Sequence, residues 1–323
     1  MNMADVIASG MATLRGRFLF DESMARHVSW RAGGRAERVF IPADCDDLAL
    51  FLRQCAPGEA ICFVGLGSNL LVRDGGFRGT VVLMHSSHAA MRIEGEALFA
   101  SAAAACPKLA RFAALQNREG AEFLAGVPGT VGGALAMNAG CYGAEIWQFV
   151  RSVSTLDRSG DVRERLPEDF ELGYRHVALR GGNKLGFDEW FVGGKFFFPP
   201  GDGVQARLRI RELLARRIAT QPLGLPNAGS VFRNPEGDFA ARLIEACGLK
   251  GFAIGGAQIS DKHANFIVNP GRKATAADIE ALIAHTMETV CFKFGVALVP
   301  EVRVIGDETK RGNAEAAPKR GQL

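Results

Sequence analysis

The segment NAGSVFRNP, Asn227 to Pro235, sets a hydroxyl at Ser230 among small residues, with Arg233 and Asn234 a turn away. A serine in this setting can donate a proton, and a guanidinium and an amide beside it can hold an anionic substrate. It is not a hydrolase nucleophile of the G-x-S-x-G kind, because position 232 is Phe. A plainer reading makes Ser230 the N-cap of a helix. Arg175, in the pair Tyr174-Arg175, and Glu301, in ALVPEVRVIG, are the other candidates, and either could simply face water. Apolar neighbours on both sides of Glu301 would favour its neutral form, which donates a hydrogen bond. Arg303, on the same strand face, would oppose that.

Two glycine-rich stretches offer a different chemistry. The first comprises Gly65, Leu66, Gly67, Ser68, Asn69 and Leu70 and follows an apolar run. It is not a dinucleotide fingerprint, since the third glycine position holds Leu70, and it lacks the Gly-Lys-Ser/Thr of a P-loop. The second comprises Gly126, Val127, Pro128, Gly129, Thr130, Val131, Gly132 and Gly133. Bare backbone lets N–H groups point at a ligand without side-chain obstruction. Two such loops in one chain suit an extended ligand held at both ends, with a dinucleotide pyrophosphate the natural candidate. Close packing of two chain segments would also require the glycines.

The elements that must position these residues can be read from spacing. Leu48, Phe51, Leu52 and Cys55 fall at helical intervals behind a candidate N-cap, Asp44. AICFVG and TVVLM read as strands, with GLGSNLLVRDGGFRG a loop between them. CPKLARFAALQNREG reads as a helix begun by Pro107 and ended by Gly120. VRSVSTLDRSGDVRERL alternates like a hairpin around Ser159-Gly160, and EWFVGGKFFF like a strand. VQARLRIRELLARRIAT is a helix whose arginines make a solvated face. QPLGLPNAGS marks a boundary. Beyond it come the helix DFAARLIEACG, the strand HANFIVNP, the helix TAADIEALIAHTMETVCFKFG, the strand LVPEVRVIG and a polar tail expected to be disordered.

Composition sets the class. The 323 residues are 48% apolar and 23% charged with a net charge of +3, which fits a globular chain of two domains, or three small ones. The basic residues are spread out, so neither a nucleic acid nor a membrane face is expected, and no apolar run is long enough to span a bilayer. The N-terminus lacks the pattern of a secretory signal. Seven cysteines, with no CxxC pair, fit reduced thiols in a cytoplasmic protein. No metal site is expected: His85 and His88 are the only close histidine pair and have no companion ligands nearby.

GLGSNLL, GVPGTVGGALAMNAGCYG, YR, NAGSVFRNP, ISDKHANFIVN and PEVRVIG occur in that order. On these motifs the chain resembles the UDP-N-acetylenolpyruvoylglucosamine reductase family over nearly its whole length. The first two alone resemble the wider vanillyl-alcohol-oxidase-like (PCMH-type) flavoprotein fold. The resemblance implies an α+β protein in which a two-subdomain FAD-binding domain is followed by a smaller α+β substrate-binding domain. The boundaries expected are an N-terminal segment 1–22, an FAD domain 23–212, a substrate domain 213–305 and the tail 306–323. It implies non-covalent FAD on Gly65–Leu70 and Gly126–Gly133, and NADPH as hydride donor. The substrate implied is UDP-N-acetylglucosamine enolpyruvate, reduced to UDP-N-acetylmuramate for peptidoglycan.

Arg175, Ser230 and Glu301 match the family's catalytic positions, with hydride from flavin N5 and the proton from Ser230. Tyr174, Arg233, Asn234, Gln258 and His263 are the candidate substrate contacts. Arg233 stands where Lys is frequent, and Cys141 where Ala is. The only tyrosines are Tyr142 and Tyr174, so the substrate-clamping tyrosine of some members is absent, as in the shorter, second type. A cytoplasmic monomer is expected. The alternatives are another flavin oxidoreductase of this fold, such as an alcohol oxidase, and a non-catalytic nucleotide-binding protein.

Overall fold

The computed structural model describes residues 14–84 and 89–309. His85, His88 and the tail beyond residue 309 lie outside the described residues.

The first layer is built from β1 (Arg17–Ser23), β2 (Arg35–Ile41), α1 (Cys45–Gln54), β3 (Ile61–Val64), β4 (Leu70–Val72) and β5 (Phe77–Leu83). The sheet order is β1-β2-β5-β3, antiparallel at β1–β2 and parallel beyond. Asp44 caps α1 by accepting the Asp47 N–H, as its position predicts. The helix buries Leu48, Phe51 and Leu52 against Phe40, Ile61 and Val82. The boundary expected after residue 22 falls inside β1, because that segment is an edge strand of this sheet. The segment read as one long loop contains a strand, β4: Leu70, Leu71 and Val72 are all buried, too short a run to show a period.

The second layer contains β6 (Met91–Glu94), β7 (Ala97–Ser101), α2 (Cys106–Leu115), α3 (Val131–Met137), β8 (Gly140–Cys141) and β9 (Ala144–Glu145). It continues with β10 (Val150–Asp157), β11 (Val162–Arg165), β12 (Phe170–Gly173), β13 (His176–Leu179), β14 (Glu189–Phe196) and α4 (Gly203–Thr220). Its antiparallel sheet runs β11-β10-β14-β7-β6. One core joins Leu98 and Ala100 of the sheet to Leu109 and Ala113 of α2 and Ala206 and Ile210 of α4. α2 stops before Gly120. The N–H of Gln116 turns back to the carbonyls of Phe112 and Ala113, and Asn117 takes the left-handed turn at φ +52°. α4 passes unbroken through position 212, where a domain boundary was expected. It buries Gly203, Ala206 and Ile210 and leaves Arg209, Arg211 and Arg216 in water.

The third layer holds α5 (Ala240–Ala246), β15 (Ala253–Ile254), β16 (Ala257–Ile259), β17 (Ile267–Val268), α6 (Ala276–Phe294) and β18 (Arg303–Ile305). Thr275 caps α6, and Gly295, at φ +67°, ends it. Leu243, Ile259, Ile279, Leu282 and Val290 form its core together with Trp30 and Leu71 from the first layer. Trp30 donates from Nε1 to the Ile267 carbonyl at 2.8 Å, and Asn269 Nδ2 donates to the Trp30 carbonyl at 3.0 Å. β18 does not stay in this unit. It runs back to pair in parallel with β4, Arg303 opposite Leu70. Order continues into the start of the tail, where Asp307 exchanges backbone hydrogen bonds with Gly75 and Gly76.

Candidate active site

The two glycine stretches meet face to face, and their glycines divide into two kinds. A Cβ on Gly65 would fall inside the Thr130 hydroxyl, one on Gly67 inside the His27 carbonyl, and one on Gly132 at 2.7 Å from Ala102 Cβ. These serve close packing of chain segments, and Gly67 also needs its left-handed φ of +61°. Gly129 and Gly133 are different. A Cβ there would meet nothing nearer than Ser68 Oγ at 3.4 Å and Thr130 Oγ1 at 3.7 Å, respectively. The open face between the loops thus leaves room for a ligand at Gly129 and Gly133, while Gly65, Gly67 and Gly132 serve packing.

That face carries unused donors. Among the described residues, the backbone N–H groups of Gly67, Ser68, Asn69, Gly129 and Thr130 find no acceptor in the protein. Gly67 and Thr130 are buried, and a buried N–H without a partner is costly unless something else accepts it. A phosphate group would supply such acceptors. Thr130 itself caps α3, its hydroxyl accepting the Gly133 N–H at 3.4 Å. The Asn69 side chain is already used: its Nδ2 donates to the Glu301 carbonyl at 3.1 Å.

Arg175 occupies the second position of the two-residue turn between β12 and β13, at φ +55°. A non-glycine residue there is strained, and strain of this kind gathers at functional sites. The turn aims the guanidinium inward, where the side chain is 14% exposed. Its Nε donates to Glu301 Oε1 at 2.9 Å, Nη1 to the Asn138 carbonyl at 3.2 Å and Nη2 to the Gly140 carbonyl at 2.8 Å. A second carboxylate, Glu145 Oε1, lies 3.8 Å from Nη1. Tyr174, half exposed, stacks its ring on the guanidinium.

Glu301 precedes β18 and is not part of it. The basic neighbour expected from sequence was Arg303, but Arg303 is exposed, and the charge that faces the carboxylate is Arg175, 126 residues away in the chain. A carboxyl oxygen that accepts a guanidinium N–H is tied to that side chain, so Glu301 and Arg175 form a pair.

Ser230 does not cap a helix. It lies in an irregular segment, and the next helix, α5, begins ten residues later behind Phe239. The segment is pinned on both sides. The Val231 N–H donates to the Asn265 carbonyl, and the Val231 carbonyl accepts the Glu301 N–H at 2.7 Å. The Asn265 side chain bonds both the N–H and the carbonyl of Phe232. Ser230 and Glu301 are thereby held on adjacent strands of backbone. Arg233 reaches the carbonyl of Arg175 through Nη2 at 3.2 Å, while its Nε is buried without a partner in the protein.

Three of the other candidates have work elsewhere. Asn234 accepts the N–H of Ala240 at the start of α5. His263 accepts the Asn265 N–H on Nδ1, and burial holds its pKa below the usual histidine value. Gln258 donates to the Gly251 carbonyl and lines a cavity of about 340 Å³ with Gln221, Leu223, Ser260 and Lys262, whose lining includes neither Arg175 nor Arg233. Sequence reasoning missed Asn138, Gly140, Glu145 and Asn265. The first three sit in or just beyond the quoted glycine stretch, and the fourth in ISDKHANFIVN, but most of what they do is done by backbone carbonyls or second neighbours.

Residues 221–305 match the family described as UDP-N-acetylenolpyruvoylglucosamine reductase, C-terminal domain, starting one residue after α4 ends. Residues 36–165 match a family described as FAD binding domain. The UDP-N-acetylenolpyruvoylglucosamine reductase of Thiobacillus denitrificans is 56% identical over 321 residues, covering 95% of this chain and 98% of the relative. The chain belongs to the UDP-N-acetylenolpyruvoylglucosamine reductase family. The reductase of that name from Methylococcus capsulatus is 54% identical, over 95% of this chain and 99% of its own. The crystal structure of the Thermus caldophilus reductase superposes with a TM-score of 0.74 at 27% identity, over 90% of this chain and 99% of that one. The reductase family thus spans all three layers, and the Arg175, Glu301 and Ser230 segments meet where those layers adjoin.

Proposed function

We propose that this chain reduces UDP-N-acetylglucosamine enolpyruvate to UDP-N-acetylmuramate with NADPH, through non-covalently held FAD, in the cytoplasmic synthesis of peptidoglycan precursors. The observation that carries the reading is the meeting of Arg175, Glu301 and the Ser230 segment beside a face of unpaired backbone donors. Gly67, Ser68, Gly129 and Thr130 would hold the cofactor's pyrophosphate, since their N–H groups lack acceptors in the protein. FAD, when bound, supplies hydride transfer between the nicotinamide donor and the enolpyruvyl double bond.

The chain's own residues manage charge and proton. Three of the five guanidinium N–H groups of Arg175 are spent on Glu301, Asn138 and Gly140. Two remain to hold the substrate carboxylate as negative charge spreads onto it during reduction. Glu301 orients that guanidinium. Ser230 delivers a proton to the carbon that has become carbanion-like, a base strong enough to take one from an alcohol. Arg233, with an unpartnered Nε, stabilises the resulting alkoxide or a phosphate of the substrate. Tyr174, Asn234, Gln258 and His263 are weaker candidates for contacts to the sugar nucleotide. The enzyme acts as a monomer in this reading.

Stopped-flow absorbance tests it. NADPH should bleach the flavin of the purified yellow protein, and UDP-N-acetylglucosamine enolpyruvate should restore the colour in a second, oxygen-free mixing step. Colour restored only by oxygen would refute the assignment and favour an oxidase of the same fold. Heating in acid should release the FAD, as expected when no covalent link is present.

A further inference from the structure

Arg175 faces two carboxylates, and the reading above uses only one. Glu301 takes Nε at 2.9 Å, and Glu145 stands 3.8 Å from Nη1. Glu145 is itself held. Its Oε2 accepts a hydrogen bond from Asn138 Nδ2 at 2.7 Å. The same Nδ2 donates its other hydrogen to the Gly173 carbonyl, at the last residue of β12 before the turn that carries Arg175. The Asn138 carbonyl accepts Nη1 of Arg175, and its Oδ1 accepts the N–H of Trp147. One 4%-exposed residue thus bonds the turn and the second carboxylate through its side-chain amide and the guanidinium through its backbone carbonyl.

Its backbone is special as well. Asn138 is the left-handed C-cap of α3, at φ +47°, so it closes the helix that the second glycine stretch opens. Asparagine tolerates this conformation better than other side-chain-bearing residues.

We propose that Asn138 and Glu145 are positioning residues for Arg175, with Glu145 the standing counter-ion of the guanidinium and Asn138 the clamp that joins counter-ion, turn and cofactor-side helix. The chemistry gives the reason. A substrate carboxylate competes with Glu301 for Arg175, and a guanidinium on a flexible stem would follow whichever anion pulls harder. Glu145 and the carbonyls of Asn138 and Gly140 hold it from the other side, so it meets the developing charge in a fixed place.

The inference rests on the reductase reading, and the test separates the two. Both half-reactions are timed for wild type, Glu145→Gln, Asn138→Gly and Arg175→Lys, and for the double variant Glu145→Gln/Arg175→Lys. Glycine at 138 keeps the left-handed backbone while removing the amide. Failure of wild type to reoxidise on the enolpyruvyl substrate sinks the reductase reading itself. If wild type reoxidises, Glu145→Gln and Asn138→Gly should each slow reoxidation about ten- to a hundredfold more than flavin reduction. Glu145→Gln should add little once Arg175 is lysine.

A second readout needs no turnover. The Arg175 Nε–H resonance in a proton–nitrogen correlation spectrum, assigned by its loss in Arg175→Lys, should shift or broaden in both single variants. Equal slowing of both half-reactions, additive effects in the double variant, or an unmoved Nε–H signal would each overturn the positioning role.

Discussion

Arg175, Glu301 and Ser230 come from a hairpin turn, a pre-strand residue and an irregular segment, and backbone contacts do most of the work of uniting them. Ser230 owes its place to hydrogen bonds made by its neighbour Val231 to Asn265 and Glu301. Ser230→Ala should therefore leave the segment intact and remove only the hydroxyl. Flavin reduction by NADPH should proceed at the wild-type rate, while reoxidation by the enolpyruvyl substrate falls by roughly 10²–10⁴, the usual cost of a lost general acid. Single-turnover traces of the two steps read this directly, and parallel loss of both would point to damage to the fold. Arg175, Ser230 and Glu301 were legible as candidates because their flanking motifs are. Asn138 and Glu145 were not, since a carbonyl acceptor and a second-neighbour carboxylate leave no signature in spacing. The partner of Glu301 was misread for the same reason: strand alternation names Arg303, and only the tertiary fold brings up Arg175.

Elements of strong period were read correctly, and short ones only in part: Ile61–Val64 and Ile267–Val268 fall inside expected strands, and Leu70–Val72 does not. α1, α4 and α6 follow from caps and apolar spacing. β4, of three residues, became visible only through its pairing with β18, which itself lies inside the strand expected at LVPEVRVIG. The glycine loops yield a contrast. Gly65→Ala forces a methyl group into Thr130, with backbone and a cap on both sides, and should lower the melting temperature even without cofactor. Gly129→Val projects into the open face and should fold normally while losing flavin, read as the ratio of visible to ultraviolet absorbance. The turn that braces the Ser230 segment carries a pH dependence. Burial lowers the pKa of His263, so the fold prefers the neutral ring. The unfolded chain, titrating near 6.5, then binds more protons, and this contribution to stability is full above that pH and lost as pH falls below it. Melting curves at pH 8 and pH 5.5 should show a smaller acid loss in His263→Gln than in wild type.

At the scale of the molecule, the third layer is tied to the first by Trp30. Its ring lies wholly inside the third-layer core, while its indole N–H and its backbone carbonyl are both bonded to that layer. Trp30→Ala should cost about 3–5 kcal/mol in denaturant unfolding, as large-to-small core changes do, and more still if the donor's partner at Ile267 stays dry. Domain boundaries were the least legible feature. Composition marks the Pro- and Gly-rich segment after α4, but a strand that returns to an earlier sheet cannot be foreseen from local pattern.

That return has a consequence for how the protein is made. β4 carries the end of the first glycine loop, and its pairing partner β18 lies 233 positions further along, from Leu70 to Arg303. Contacts of such separation form late, because a long loop must close first. A ribosome delivers residue 70 well before residue 303, so the loop meant for the cofactor waits unsupported through most of translation. Flavin capture should follow the emergence of β18 from the ribosome. Nascent chains stalled before residue 300 should remain colourless in the presence of FAD, and chains long enough to extrude β18 should take it up.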